Sequence, residues 1–128
     1  PAGHERHSMR VVFRNNYYVP VWIAVMSYDP GSCGSYGNWR TQGWWNAGPG
    51  TEVHPISTTN RYVCFYAEGD DGAQWSGIYG PMYVYWDGFD SCINIGSTAA
   101  YATVGTQLVD LGSNAWMPWA THTVHLNP

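Results

Sequence analysis

Apolar and polar positions along the chain form short runs separated by turn residues. Residues 9–13 and 19–28 are rich in β-branched and aromatic side chains, and the polar pair Asn15-Asn16 between them is typical of a turn. We therefore predict that these two runs form a β-hairpin.

The run at residues 19–28 has no polar face. Three β-branched residues alternate in it with Trp22, Ala24 and Met26, so both sides of a strand would be apolar. This pattern indicates a central strand with Trp22 in the core. Phe65 lies in the similarly apolar run 61–68 and is also predicted to be a core residue.

The remaining strand-like runs are separated by segments rich in Gly, Pro, Ser and Asp, and none shows the 3.6-residue apolar period of a helix. They are residues 39–45, 51–57, 61–68, 82–86, 103–111 and 121–126. Residues 29–38 and 87–101 are predicted to be loops. We predict an all-β fold: a single antiparallel β-sandwich, either Ig-like or small and barrel-like, with about eight short strands and under a tenth of its residues helical.

The chain of 128 residues has the length of one domain. Residues 1–8 are polar and unpatterned, which predicts a flexible N-terminal arm before a sandwich domain at residues 9–128.

Charge and hydropathy exclude several classes of partner. The net charge is −4, all five basic residues are arginines, and there is no lysine. Binding to nucleic acid or to an anionic lipid surface requires clustered basic residues, so we predict neither. No run of 18 apolar residues is present, so no membrane span is predicted. The low charge, the three cysteines and a first residue other than Met predict a secreted, extracellular chain from which a signal peptide has been removed.

The odd number of cysteines leaves a choice of pairing. Cys64 lies in mid-strand between apolar residues, where a free thiol acts as a small buried hydrophobe. Cys33 and Cys92 lie in loops rich in Gly and Ser, which can bring two cysteines within bonding range. We predict a Cys33–Cys92 disulfide with Cys64 reduced. Two alternatives are that Cys64 is one of the paired residues and that the odd cysteine bonds to a partner chain.

Tryptophan and tyrosine supply 18 of the 21 aromatic residues. Each has a large apolar face and a polar tip, which suits protein interfaces, sugar-stacking platforms and core edges alike. In a strand, Trp44 and Trp45 point to opposite faces, so one of them would be exposed or lie in a cleft; in a purely structural role both only pack. Trp116 and Trp119 are further rings that could join an exposed patch. The candidate binding residues are Tyr36, Trp39, Trp44, Trp45, Trp75, Tyr85 and Trp86.

Residues suited to metal binding or catalysis are sparse. His4 and His7 could hold copper or nickel loosely, but no Cys or carboxylate completes a site, and His122 and His125 face opposite sides of a strand. Acidic residues at positions 70, 71, 87 and 90 stand among glycines, as turn residues do. No nucleophile, zinc-protease or phosphate-loop motif is present. We therefore predict no metal site, no cofactor and no enzymatic activity.

One family resemblance covers about residues 11–90. It rests on Asn15-Asn16, on residues 21–28, on Gln42-Gly43-Trp44-Trp45 with Gly48-Pro49-Gly50, and on residues 62–68 with Trp75-Ser76-Gly77. In these motifs the chain resembles the bacterial family known as domain of unknown function 1036. The resemblance implies a small secreted or envelope-associated β domain with no established activity. The family's cysteine positions are occupied here by Arg14, Thr51 and Tyr83, so its cross-links are expected to be absent.

Two functional hypotheses follow. The first is a secreted, non-catalytic protein-interaction module, an adaptor or structural subunit of an extracellular or surface assembly, whose N-terminal arm could contact the partner. The second is a carbohydrate- or cell-wall-binding, lectin-like domain in which exposed Trp and Tyr rings stack on sugars.

Overall fold

A computed structural model of the protein describes residues 8–96, 98–112 and 120–128. In these ranges the chain forms one short helix, α1 (Pro30–Cys33), a 3₁₀ turn (Gly34–Tyr36) and ten strands. The all-β prediction is confirmed. The strands are β1 (Met9–Asn15), β2 (Val21–Tyr28), β3 (Trp39–Ala47), β4 (Glu52–Thr58), β5 (Tyr62–Gly69), β6 (Gln74–Trp75), β7 (Tyr79–Tyr85), β8 (Phe89–Cys92), β9 (Ala100–Asp110) and β10 (Thr121–Leu126).

Some predictions fall outside the described ranges. The predicted arm lies there except for Ser8, as do His4, His7, Trp116 and Trp119. Among the described residues, no helix has the length and apolar character that a membrane crossing requires.

The strands form two sheets. The smaller sheet has the order β10-β1-β4, and the larger one has the order β7-β9-β5-β2-β3-β8, with β6 attached to β5. The pairing of β1 with β10 is parallel, whereas the other described pairings are antiparallel. The predicted antiparallel arrangement is therefore present in every described pairing except this one. The chain reaches β10 from β9 in the other sheet, so no tight turn dictates the direction of β10 beside β1.

The predicted hairpin between β1 and β2 does not form, because these strands belong to different sheets. The buried side chain of Asn15 lies where the chain passes from one sheet to the other. Its amide nitrogen donates to the carbonyls of Val19 (2.8 Å) and Ala47 (2.9 Å), and its oxygen accepts from the backbone N–H of Tyr17 (2.7 Å). These bonds satisfy a buried amide while directing the chain from one sheet to the other, where a hairpin turn would have paired the two strands.

Strand β2 lies between β3 and β5, as the central-strand prediction requires. Its two faces enter two separate apolar cores. Val21, Ile23 and Val25 pack between the sheets with Phe13 and Phe65, and the other face packs inside the curled larger sheet. The second core contains Ala24, Met26, Cys64, Tyr66, Met82 and Val84. The absence of a polar face along β2 is explained by these two cores.

The larger sheet curls until it is nearly closed and barrel-like. Its outermost strands, β7 and β8, follow each other in sequence and are joined by residues 86–88. Tyr85 of β7 contacts Phe89 of β8 with ring centroids 5.0 Å apart. Strand β8 lies in the segment 87–101, which was predicted to be a loop. Its four residues are too few to show a strand pattern in the sequence, and they are extended because they pair with β3.

The two predicted core residues differ in outcome. Phe65 is 2% exposed and contacts Phe13 edge-on with a centroid distance of 5.1 Å, so its assignment is confirmed. Trp22 is 40% exposed, and its assignment to the core is wrong. Trp22 shares a face with Ala24 and Met26, but it lies near the end of the curled sheet, where none of the described strands covers it.

The predicted cysteine pairing is confirmed. Cys33 and Cys92 form a disulfide with their Cα atoms 5.6 Å apart, and Cys64 is free and buried. The bond joins the end of α1 to the end of β8. It therefore fastens the outer strand of the curled sheet to the segment between β2 and β3.

Candidate functional site

A cleft of about 350 Å³ opens at one end of the curled sheet. Strands β2, β3, β5, β7 and β9 and the connection between β7 and β8 each contribute to its wall. We call it the acidic aromatic cleft, and it is lined by Trp22, Trp44, Glu68, Tyr85, Trp86, Asp87, Gly88 and Tyr101.

The floor of the cleft follows from strand register. Trp22 on β2 is paired with Glu68 on β5, and the next positions inward on the same face are Ala24 and Tyr66. Inward residues are enclosed, whereas Trp22 and Glu68 lie where the enclosure ends. The indole N–H of Trp22 donates to the carboxylate of Asp70 (2.8 Å), which holds the ring at the edge of the cleft.

The carboxylate of Glu68 is held by two tyrosines. The hydroxyl of Tyr66 donates to Oε2 and the hydroxyl of Tyr101 donates to Oε1, each at 2.8 Å. Burial, together with the bond to Glu68, raises the pKa of both tyrosines above its ordinary value. Both hydroxyls therefore stay protonated at neutral pH and act as donors. The result is a carboxylate fixed in position at the floor.

Trp86 forms the outer wall and is 79% exposed. Its ring stacks on Tyr101 with a centroid distance of 4.2 Å and an interplanar angle of 26°. One face of the indole is thus supported while much of the ring stays in solvent. Asp87 follows directly in the chain and places a second, exposed carboxylate on the lining.

Trp44 forms the inner wall because β3 carries an irregularity at this point. Ile23 pairs with Trp45 and Ala24 pairs with Gly43, which leaves Trp44 as an extra residue opposite β2. Its indole N–H donates to the carbonyl of Tyr85 at 2.7 Å. Gly43 is needed beside it, because a Cβ there would lie 2.6 Å from the Phe89 ring.

The charge of the cleft is one-sided. Glu68 and Asp87 are acidic, and none of the eight described lining residues is basic. Asp70 adds a third carboxylate beside Trp22. The walls are aromatic faces, so the cleft combines negative charge with flat π surfaces.

The sequence-predicted binding residues are distributed over the molecule. Trp44, Tyr85 and Trp86 meet in the cleft, whereas Trp45 packs against the core between the sheets and Trp39 packs against the core of the curled sheet. Trp44 and Trp45 therefore serve different faces, as the strand alternation predicts.

Two other predicted binding residues lie apart from the cleft. Trp75 contacts Tyr17 edge-on at 5.2 Å and donates its indole N–H to the carbonyl of Asn127 at 3.0 Å. Tyr36 is exposed beside the Cys33–Cys92 disulfide. Neither is brought together with Trp86.

Four residues of the cleft were not predicted to be binding residues: Trp22, Glu68, Asp87 and Tyr101. Glu68 did carry a signal, because it is the one charged residue at the end of the otherwise apolar and aromatic strand β5. Asp87 was interpreted as a turn residue, and Tyr101 stood at the end of a predicted loop.

The other acidic turn residues have structural partners. Asp71 accepts a bond from the Tyr17 hydroxyl at 2.6 Å, and this bond is the main reason that the pKa of Asp71 is lowered. Asp90 accepts from Arg40 Nε at 2.8 Å, and this bond is the main reason that its pKa is lowered. Within residues 8–96, 98–112 and 120–128, no group of three or more His, Cys, Asp or Glu side chains is arranged to hold a metal ion.

The opposite end of the curled sheet has a second opening, of about 320 Å³. We call it the apolar opening, and it is lined by Met26, Trp39, Tyr62, Cys64, Tyr79, Gly80, Ile93 and Leu108. None of these residues is charged. Burial raises the pKa of the Cys64 thiol, although a hydrogen bond with Thr106 acts in the opposite direction.

No model of a known protein family, no curated protein and no solved structure matches this chain. The resemblance to domain of unknown function 1036 stays a prediction.

Proposed function

We propose that this domain is a non-catalytic binding module of an extracellular or surface assembly, and that it holds a protein partner in the acidic aromatic cleft. The observation that carries the proposal is the arrangement of Trp86, 79% exposed and stacked on Tyr101, above the fixed carboxylate of Glu68. Protein-binding energy is concentrated in a few such aromatic side chains.

The cleft is organised before any ligand arrives. The rings of Trp22 and Trp44 are held by hydrogen bonds from their indole N–H groups, and Glu68 is held by two tyrosines. A ligand that enters such a site loses its own freedom but orders few protein side chains, which lowers the cost of binding. This favours recognition through fixed shape and charge.

A binding role is also supported by the chemistry that the lining provides. The eight lining residues include no Ser, Cys, His or Lys that could act as nucleophile or base. The two carboxylates of the lining, Glu68 and the exposed Asp87, can accept hydrogen bonds from a ligand, and Glu68 is held in place by a tyrosine hydroxyl on each oxygen.

An extracellular location is supported by the Cys33–Cys92 disulfide, because such bonds persist in oxidising compartments. The low charged fraction of 11% agrees with this location.

Carbohydrate binding is a second candidate, and one observation favours it. The exposed rings of Trp22 and Trp86 line the same cleft as two carboxylates. A sugar could stack its apolar face on a ring and donate its hydroxyls to the carboxylates.

The test is a selection from a random peptide library displayed on phage, run in parallel with a glycan array. We expect peptides that bind the wild-type domain and lose binding to Trp86→Ala. Tyr36→Ala is the matched control, since Tyr36 is an exposed aromatic residue outside the cleft. Glycan binding that depends on Trp86, with no peptide binding, would favour the second candidate. Peptide binding that Trp86→Ala leaves intact would overturn the cleft assignment.

A further inference from the structure

Several N–H and O–H groups in the cleft are already used within the protein. The indole of Trp22 donates to Asp70, the indole of Trp44 donates to the carbonyl of Tyr85, and Tyr101 donates to Glu68. What these groups leave for a ligand is mainly acceptor oxygens and aromatic faces. A ligand rich in donors therefore fits better than one that needs donors from the protein.

The carboxylate of Glu68 retains accepting capacity on both oxygens. An ionised carboxylate has about four lone-pair positions. Each oxygen of Glu68 accepts one tyrosine hydroxyl, so each has a further position for a ligand donor. Two parallel N–H groups of a guanidinium match such a pair of oxygens in a bidentate contact.

The walls suit a flat cation. Trp86 presents a largely exposed indole that is supported from behind by Tyr101, and Trp22 presents a second partly exposed ring. A planar guanidinium stacks on aromatic faces, and the attraction of the ring quadrupole for positive charge adds to the contact. Asp87 contributes negative charge to the same lining.

We infer that the acidic aromatic cleft binds the guanidinium group of an arginine side chain on a basic segment of the partner protein. The inference rests on the proposed binding function and specifies its ligand chemistry. A lysine ammonium is a compact point charge without a planar face to stack. A neutral sugar needs both donors and acceptors from its site, and three of the donors here are already used.

The first experiment compares ligands on the unmodified domain. Blocked pentapeptides with a central arginine, citrulline or lysine between glycines are titrated while tryptophan fluorescence is followed. Citrulline has the shape of arginine without its charge. We expect the arginine peptide to bind about tenfold more tightly than the citrulline peptide, the size of effect that a charge-assisted contact with a carboxylate gives. We also expect its affinity to fall as salt is raised.

The second experiment tests whether Glu68 is the carboxylate that binds the arginine side chain. Glu68→Gln should bring the arginine peptide to within about twofold of the citrulline peptide, because it removes the carboxylate that makes the bidentate contact. The lining then keeps only the exposed charge of Asp87, which salt screens. Glu52→Gln is the matched control, since Glu52 is an exposed acid on the smaller sheet and removes the same charge elsewhere. It should keep the arginine preference. Circular dichroism of both variants establishes that each is folded.

The outcomes separate this inference from the proposed function. If the wild-type domain binds the citrulline or the lysine peptide as tightly as the arginine peptide, the inference is overturned, and this result needs no variant to fold. If library peptides or glycans still bind in a Trp86-dependent manner, the binding function stands and the ligand chemistry is wrong. If nothing binds the cleft in either experiment, both proposals fail. An arginine preference that Glu52→Gln abolishes as fully as Glu68→Gln would also overturn the inference, because it would then reflect net charge alone.

Discussion

The two ends of the curled sheet are built from the same strands but differ in chemistry. On β5, the residues Tyr62, Cys64, Tyr66 and Glu68 follow one another on a single face. Cys64 and Tyr62 line the apolar opening, and Glu68 lines the acidic aromatic cleft. Cys64 and Glu68 are four residues apart, about 13 Å along the strand, so one short strand changes from an uncharged surface to a charged one.

The two ends show two ways in which the side chains of one sheet are arranged, by apolar packing at one end and by polar bonds at the other. At the apolar opening the lining residues extend the core outward, and the thiol of Cys64 is buried among them. At the cleft the side chains are tied to one another by polar bonds to Glu68, Asp70 and the carbonyl of Tyr85. Polar bonds with fixed directions hold groups in defined positions, whereas apolar packing mainly excludes water.

The largest loss of stability is expected from a change at Phe65. Its side chain lies in the core between the sheets, on the face of β5 opposite to the cleft and the apolar opening. Phe65→Ala removes a ring that is 2% exposed, and a loss of about 3–5 kcal/mol in the free energy of unfolding is expected for a fully buried phenylalanine. Because β5 contributes to both ends of the curled sheet, the cleft and the apolar opening should unfold together in urea. Tryptophan fluorescence reports on rings throughout the molecule, and these include Trp39 of the apolar opening. The reaction of Cys64 with a thiol reagent reports on the apolar opening alone.

Coincident transitions for the two probes in Phe65→Ala would show that the ends belong to one cooperative unit. If Cys64 becomes reactive at a urea concentration where the tryptophan signal is still native, the apolar opening is exposed before the rest of the molecule unfolds. A destabilisation below about 1 kcal/mol would contradict the burial of Phe65.

A smaller loss of stability should distinguish the cleft from the apolar opening. Tyr66→Phe removes the hydroxyl that donates to Glu68 and keeps the ring in the core. We expect a loss of about 1.5–3 kcal/mol in unfolding free energy, as for hydrogen bonds to charged groups. Tyr62→Phe is the matched change at the apolar opening, where the tyrosine is 40% exposed, and it should stay within about 0.5 kcal/mol of wild type. Urea unfolding measures both.

Equal effects of the two tyrosine changes would contradict the assignment of Glu68 as the anchored group of the cleft. A third variant, Tyr101→Phe, removes the other donor to Glu68. It should resemble Tyr66→Phe in direction, which checks that the loss arises from the carboxylate.

Much of the fold could be predicted because it depends on local pattern. The two apolar faces of β2 indicated a central strand, and the loop positions of Cys33 and Cys92 indicated their disulfide. The crossing at Asn15 could not be predicted, because its amide is satisfied by carbonyls that include one 32 residues away. A polar residue between two apolar runs has the same local pattern whether it forms a turn or a crossing.

The cleft was only partly predictable for a related reason. Period-two alternation tells which face of β2 Trp22 belongs to, but it does not tell where along the strand that face ceases to be covered. Trp22 therefore appeared equivalent to Ala24 and Met26. Glu68 and Tyr101 become neighbours only when β5 and β9 pair in the curled sheet.

The smallest effect is expected from alkaline pH, and it separates the two ends by the pH at which each responds. Burial raises the pKa of the Cys64 thiol at the apolar opening, and burial with the bond to Glu68 raises the pKa of Tyr66 and Tyr101 at the cleft. In the unfolded chain thiols ionise near pH ~8.5 and tyrosines near pH ~10. Above these values the unfolded state releases protons that the folded state keeps, so stability falls as pH rises.

We expect the free energy of unfolding to be independent of these groups below about pH 8.5, to fall first because of Cys64, and to fall more steeply above about pH 10 because of the tyrosines.

Cys64→Ala should remove the first part of the fall. Adding Tyr66→Phe to that variant should reduce the second part, although Tyr101 and Tyr17, whose pKa is raised by its bond to Asp71, continue to contribute. Urea unfolding of the two variants between about pH 7.5 and 10.5 makes the measurement, and Cys64→Ala also prevents thiol–disulfide exchange during it. A fall between about pH 8.5 and 10 that is unchanged in Cys64→Ala would contradict a buried thiol at the apolar opening. A second part unchanged by Tyr66→Phe would mean that the Tyr66 hydroxyl keeps its ordinary pKa and is not held in the cleft beside Glu68.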